Sequence, residues 1–324
     1  MSILTRDALN QAQELVYRHL KPTPAYAWPG LCEALGCEVW VKHENHTPIG
    51  AFKVRGGLTY VDELARHGTD TEIVTATRGN HGQSIPYAAR LHGIGVHVYV
   101  PEGNSREKNA AMVGWGAELH VHGRDFDEAR EAAEAHAAER GGHLVPSFHP
   151  QLVRGVATYG AELFAAVKNL DTVYVPIGMG SGAASLVLVR DLLGLSAEIV
   201  GVVAAGADAF ACSFEQGRIV PGNRAHTFAD GMATRVPHAE AFDILSRGLS
   251  RVVRVQDDEV AAAVRLLYRT THNVAEGAGA APTAALMKEA EQQAGRRVAV
   301  ILTGGNIDQQ WFADILLGNT PVPA

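Results

Sequence analysis

The sequence predicts an α/β protein with two mostly parallel sheets, each packed between helices in a three-layer domain. Three observations predict it. Short β-branched runs alternate with helical stretches almost from end to end, eight such runs over 324 residues suggest two sheets rather than one, and glycine-rich loops follow several of them. Strand–helix alternation implies parallel pairing through right-handed crossovers, with helices on both faces.

The strand-like runs are Val39–Lys42, Glu72–Ala76, Val96–Val100, Glu118–Val121, Thr172–Pro176, Ile199–Val203, Arg251–Val255 and Arg297–Leu302. Between them lie helical spacings such as Val153, Val156, Ala157 and Phe164, or Val260, Ala263, Val264 and Leu267. Lys53 opens another helix, in which Val54, Leu58, Val61 and Ala65 fall on one apolar face. The stretch from about Thr71 to Pro146 reads as a self-contained βαβαβ unit. Residues 71–146 are therefore expected to form a small inserted domain, and 1–70 with 147–324 the large one. The Ala/Glu-rich segment Asp125–Arg140 is expected to be an exposed helix.

A formal net charge of −7 argues against a nucleic-acid or anionic-membrane partner. No apolar run is long enough to span a bilayer, and Met1–Arg6 lacks a signal-peptide core. Cys32, Cys37 and Cys212 are odd in number and have no CxxC spacing, which fits a reduced cytoplasm. Fifteen histidines invite a metal reading. His120 and His122 share a strand face and His43 and His46 flank a loop, but neither pair comes with further ligands in sequence, so no metal is expected.

Ligands of such folds gather at the carboxyl ends of the strands. The most informative stretch there is Lys42 to Gly57, where Lys53 follows a Gly-Ala-Phe turn. A lysine at a helix mouth faces exposed N–H groups and the positive end of the helix dipole, which favour the neutral amine needed for a Schiff base. A solvated surface charge is the alternative for any single lysine. The loop Thr77-Arg-Gly-Asn-His-Gly-Gln83 leads into a helix whose N-terminus suits a carboxylate; alone it reads equally as a turn. Val175-Pro-Ile-Gly-Met-Gly-Ser-Gly182 offers an anion nest for phosphate. It lacks the Walker lysine, and no acidic residue stands placed for a ribose, so a small phosphorylated cofactor fits better than a nucleotide. Ala229-Asp-Gly-Met-Ala-Thr-Arg235 is a third loop, preceded by Thr227. In the fourth, Leu302 to Asn306, Thr303 either presents its hydroxyl to a ring nitrogen or caps the next helix.

Together these segments resemble the fold-type II (tryptophan synthase β-like) pyridoxal-phosphate enzymes, specifically the serine/threonine dehydratase and serine racemase branch. The resemblance runs from Lys21-Pro-Thr-Pro24 to Thr303-Gly-Gly-Asn306. It is carried by Lys42-x-Glu-Asn45, Ala51-Phe-Lys-Val-Arg-Gly56, Gly79-Asn-His-Gly-Gln83, Gly155-x-x-Thr-Tyr-Gly160, the Gly178–Gly182 loop and Ala229-Asp-Gly231. It implies that Lys53 holds pyridoxal 5'-phosphate as a Schiff base and acts as the catalytic base, with Phe52 against one ring face and Asn80 on the ring hydroxyl. Gly178, Met179, Gly180, Ser181 and Gly182 would cradle the phosphate, and Thr303 would face the pyridine nitrogen. Thr77, Arg78, Gly79, His81 and Thr234 would contact the substrate, and Glu276 would approach the cofactor.

The implied activity is β-elimination of L-threonine or L-serine to a 2-oxo acid and ammonia, by a cytoplasmic homodimer. A close variant is an ammonia-lyase for 3-hydroxyaspartate or another modified hydroxy amino acid, with Arg78 and Arg235 supplying charge. Racemisation is disfavoured, because Arg78 stands where racemases place a serine acid/base. Arg78 reads either as a grip on an anionic substrate group or as an outward salt-bridge partner. The branch's divalent-cation positions fall at Val203 and Ala209, leaving Asp208 nearby, so a monovalent ion stays open there. The chain stops soon after Asn306, with no room for a regulatory domain, so a catabolic or specialised role is expected. A non-catalytic sensor of a phosphorylated ligand is the reading from another class.

Overall fold

The computed structural model describes residues 3–68 and 71–323. Met1 and Ser2, and the expected domain limit at residue 70, lie outside the described residues. In chain order the elements are α1 (Arg6–Val16), β1 (Ala25–Ala27), α2 (Pro29–Leu35), β2 (Glu38–His43), α3 (Lys53–Arg66), β3 (Ile73–Ala76), α4 (Asn80–Ala89) and β4 (Val96–Val100). There follow α5 (Arg106–Gly114), β5 (Ala117–Val121), α6 (Phe126–Arg140), β6 (His143–Leu144), α7 (Pro150–Ala166), β7 (Thr172–Pro176), α8 (Ser181–Leu192) and β8 (Glu198–Ala204). The chain closes with α9 (Ala209–Gln216), α10 (Ala239–Gly248), β9 (Arg251–Val255), α11 (Asp257–Thr271), α12 (Gly277–Lys288), β10 (Arg297–Leu302) and α13 (Gln309–Leu316).

Two sheets form, as the alternation predicts. One has the order β1-β2-β10-β7-β8-β9, parallel except for the antiparallel β1–β2 pair. The other, β5-β4-β3-β6, is wholly parallel. All eight expected strands are present within a residue of their expected limits. β1 and β6, three and two residues long, are additions; runs that short show no hydrophobic period.

Strand alternation divides the core of the large sheet into two layers. Val298, Val300 and Leu302 of β10 pack toward α2, α11 and α12, while Ala299 and Ile301 pack toward α7, α8 and α10. In the small sheet Ile73, Val96, Val98 and Val100 face α3 and α4, and Val74 and Ala76 face α6. The apolar face of α3 is buried as expected, with Val54, Leu58 and Val61 at most 2% exposed. Ala129, Ala133 and Ala137 bury one stripe of α6 against the sheet, so that helix is exposed on its outer side alone. No helix among the described residues is long and apolar enough to cross a membrane.

α3 lies close to both α4 and α7 because glycine faces the contacts. A Cβ at Gly57 would come 2.6 Å from the Ser84 carbonyl, and one at Gly155 2.1 Å from the Arg55 carbonyl. Between α3, α7 and β2 sits a buried ionic cluster. Arg55 donates to both oxygens of Glu44 and both of Glu162, at 2.7–3.0 Å, and to Thr158 Oγ1 at 2.8 Å. Lys42 joins it through Glu162, 2.5 Å away. The Arg-Gly of one motif and the Gly-x-x-Thr of another are thus two sides of a single helix contact, which fixes the start of α3.

Candidate active site

Lys53 is the first residue of α3, and its Nζ donates to Ser181 Oγ at 3.1 Å, at the start of α8. The amine lies in a cavity between the two sheets, lined also by Phe52, Thr303 and the Gly178 to Gly182 loop. Burial pushes its pKa down to about 8 from 10.5. The neutral amine expected from sequence is therefore favoured, with burial as the cause.

The loop after β7 approaches closely because side chains are missing. A Cβ at Gly178 would sit 2.2 Å from the Gly231 carbonyl. Gly180 has φ +92° and caps α8, so a side chain there would be strained. Ser181 and Gly182 open the helix, where N–H groups have no intrahelical partner. Met179 completes this wall of the cavity. Tyr159 Oη donates to the Gly182 carbonyl at 2.8 Å, and its ring meets Phe52 edge-on, tying loop, α7 and cavity floor together.

The opposite wall is the loop between β3 and α4. Thr77 Oγ1 accepts from the N–H groups of Gly79, at 2.9 Å, and Gly82, at 3.3 Å, and so holds the turn. Asn80 Oδ1 accepts from Asn306 Nδ2 at 2.8 Å, and Asn80 Nδ2 donates to Glu276 Oε1 at 2.6 Å. One amide N–H of Asn80 is left for a ligand. His81 is buried, its Nε2 has no protein partner, and burial with the nearby Lys53 drives its pKa down to about 3. Arg78 is half-buried, lines the cavity, and forms no salt bridge among the described residues. Thr234 lines the cavity too.

The structure adds one residue that no sequence motif marked, and joins it to Asp230 and Glu276. Lys108, from α5, enters the cavity and donates to Asp230 Oδ2 at 2.6 Å and Glu276 Oε2 at 3.1 Å. Burial works against its charge, but Asp230 and Glu276 outweigh it and hold the ammonium above its ordinary pKa. Glu276 is raised by burial. These partners lie 122 and 168 residues from Lys108, so no local spacing could pair them.

One expectation is corrected. Arg235 does not supply charge to the cavity: its guanidinium pairs with Asp127 and Asp125 at the start of α6. Asp208 accepts from Arg254 Nε at 2.8 Å. Thr227, placed beside the third loop, donates to Asp257 at 2.5 Å and secures that loop from below.

The profile of the family described as "Pyridoxal-phosphate dependent enzyme" matches residues 16–304. The chain is 32% identical over 301 residues to the L-threonine ammonia-lyase of Geobacter sulfurreducens, covering 93% of this chain and 75% of that protein. It is 29% identical over 318 residues to the L-threo-3-hydroxyaspartate ammonia-lyase of Saccharomyces cerevisiae, covering 98% and 96%. The processed form of threonine deaminase isoform 2 from Solanum lycopersicum superposes with a TM-score of 0.89 at 25% identity, over 97% of this chain and 94% of that one.

Proposed function

Because the chain belongs to the fold-type II family of pyridoxal-phosphate dependent enzymes, we propose that it is an ammonia-lyase that eliminates water from a β-hydroxy amino acid, L-threonine or L-serine, the released enamine tautomerising to an imine that water hydrolyses to a 2-oxo acid and ammonia. The observation that carries this is the contrast between the two cavity lysines. Burial lowers the Lys53 pKa to about 8, so that a usable share of its amine is neutral, whereas Lys108 is fixed as an ammonium by two carboxylates.

The residues present fit the cofactor. The Gly178 to Gly182 loop lines the cavity at the start of α8, the buried Nε2 of His81 lacks a partner, and Asn80 keeps an N–H free. Lys53 would hold the cofactor's aldehyde, the loop its phosphate, Asn80 its ring hydroxyl and Thr303 its ring nitrogen, with Phe52 against the ring. When bound, pyridoxal phosphate supplies an electron sink for charge at the substrate Cα.

This chain's residues do the rest. With a pKa about 8, roughly one Lys53 amine in ten is neutral at pH 7, against about one in three thousand at the ordinary value. Its Nζ takes the Cα proton, and Ser181 Oγ positions it. The first turn of α4, ordered by Thr77 through its bond to the Gly79 N–H, binds the substrate carboxylate with the N–H groups that follow Gly79. Thr303 offers a neutral hydroxyl, which cannot stabilise a protonated ring as a carboxylate would. Prompt loss of the β-hydroxyl is thereby favoured over transamination.

A second reading, a dicarboxylic 3-hydroxyaspartate as substrate, is favoured by Arg78, which lines the cavity and forms no salt bridge among the described residues. The same arginine removes the serine that racemisation would use. The proposal carries with it a homodimer in the cytoplasm, which size-exclusion chromatography checks in part. The deciding experiment measures 2-oxo acid formation on threonine, serine and the 3-hydroxyaspartate stereoisomers, with Lys53→Ala as control. Lysine-dependent turnover is expected; cofactor-loaded protein inert on all of them would overturn the proposal.

A further inference from the structure

The small sheet gathers metal-ligating side chains on the face that α6 covers. Alternation along β4 sets His97 and Tyr99 on this face, and along β5 Glu118 and His120. The register pairs His97 with Glu118 and Tyr99 with His120. His136 arrives from α6. In sequence His120 was grouped with His122, which is exposed beyond the end of β5; the fold supplies His97 and His136 in its place.

The geometry suits an ion. His97 Nδ1 lies 3.0 Å from His120 Nε2, and one ligand atom from each of the three histidines falls within 4.8 Å of the others. Two nitrogens on a tetrahedral ion at 2.0–2.1 Å stand about 3.3 Å apart. Glu118 reaches over both rings, Oε1 at 3.5 Å from His120 Nε2 and Oε2 at 3.6 Å from His97 Nδ1. Outer partners orient the rings: Glu72 Oε2 is 3.0 Å from His97 Nε2, and Tyr99 Oη is 2.7 Å from His136 Nδ1. Carboxylate and hydroxyl partners of this kind turn the remaining nitrogen toward a metal. That remaining nitrogen on His136, Nε2, is buried and has no protein partner.

We propose that His97, His120 and His136, with Glu118 as fourth donor, form a site for a divalent transition metal of the zinc class, clamping α6 onto β4 and β5. Three imidazoles and a carboxylate select such ions over magnesium or calcium. None of the four residues lines the cavity, but α6 begins at Phe126, which does. The clamp therefore braces one cavity wall without touching substrate.

The test uses tag-free holoenzyme freed of metal with a chelator, then titrated with ZnCl2 by calorimetry and with CoCl2 by visible absorption. One equivalent of Zn2+ is expected, with the intense absorption of four-coordinate Co2+. His136→Ala and His120→Asn should each weaken binding at least a hundredfold, and Glu72→Gln, which keeps every ligand, about 10–100-fold. Zn2+ should raise the unfolding temperature of the wild type and leave that of His136→Ala unmoved. No stoichiometric binding, a weak six-coordinate Co2+ spectrum, or binding unchanged in both His136→Ala and His120→Asn would overturn the proposal. The cobalt spectrum is read on the wild type, so it decides even if a variant fails to fold.

Discussion

Arg55 grips Glu162 through two guanidinium hydrogen bonds, Nη1 to Oε1 at 2.7 Å and Nη2 to Oε2 at 2.9 Å. Arg55 lies two residues beyond Lys53 on α3, and Glu162 lies on α7, so this pair anchors the helix that presents the amine. Removing one partner leaves buried charge uncompensated, at a cost of about 3–5 kcal/mol. Arg55→Met is expected to lose that much stability in urea unfolding, and to bind the cofactor more weakly because the start of α3 is freed.

Gly155 makes the same contact possible from the other side. An alanine Cβ there would sit 2.1 Å from the Arg55 carbonyl and 2.3 Å from Thr59 Oγ1. Backbone cannot yield as a side chain can, so Gly155→Ala should cost at least the usual overpacking penalty of about 1–3 kcal/mol. The drop should appear in thermal unfolding, with cofactor affinity falling alongside.

Lys53 sets a pH dependence whose sign follows from its depressed pKa. Between about 8 and 10.5 the unfolded chain binds a proton that the folded chain has released. This group's contribution to stability therefore rises with pH across that window, and the cost of its buried charge is fully present below it. Cofactor capture by the apo-protein should accelerate about tenfold per pH unit up to about 8 and then level off. Stopped-flow absorbance checks this; acceleration continuing to 10.5 would show an unshifted amine.

Arg78 separates the two substrate readings. A charge-assisted hydrogen bond to a second carboxylate is worth about 1.5–3 kcal/mol. Arg78→Ala should then lower kcat/KM for 3-hydroxyaspartate by roughly 10–100-fold, while threonine turnover stays within about threefold. Equal losses on both substrates would remove the dicarboxylic reading.

The fold was legible because its strands are long enough to carry β-branched runs between helices. β1 and β6 escaped for want of length. Thr303 and the glycine loops were legible because each follows a strand end, and Lys53 because it opens a helix after a Gly-Ala-Phe turn; in each, neighbours in sequence are neighbours in space. Lys108 was not, since its partners come from the loop after α9 and the start of α12. Arg235 misled for a related reason: next to a site loop in sequence, it turns to the first turn of α6. The histidine cluster draws on two strands and a helix, an arrangement that no spacing within one element announces.

The most direct test of the account asks which lysine carries the cofactor. Borohydride reduction of the holoenzyme fixes the cofactor on the amine that holds it, and peptide mapping by mass spectrometry then locates it. The account predicts the pyridoxyl mass on Lys53, with Lys108 unmodified despite its place in the same cavity. The mass on Lys108, or on neither lysine, would contradict it.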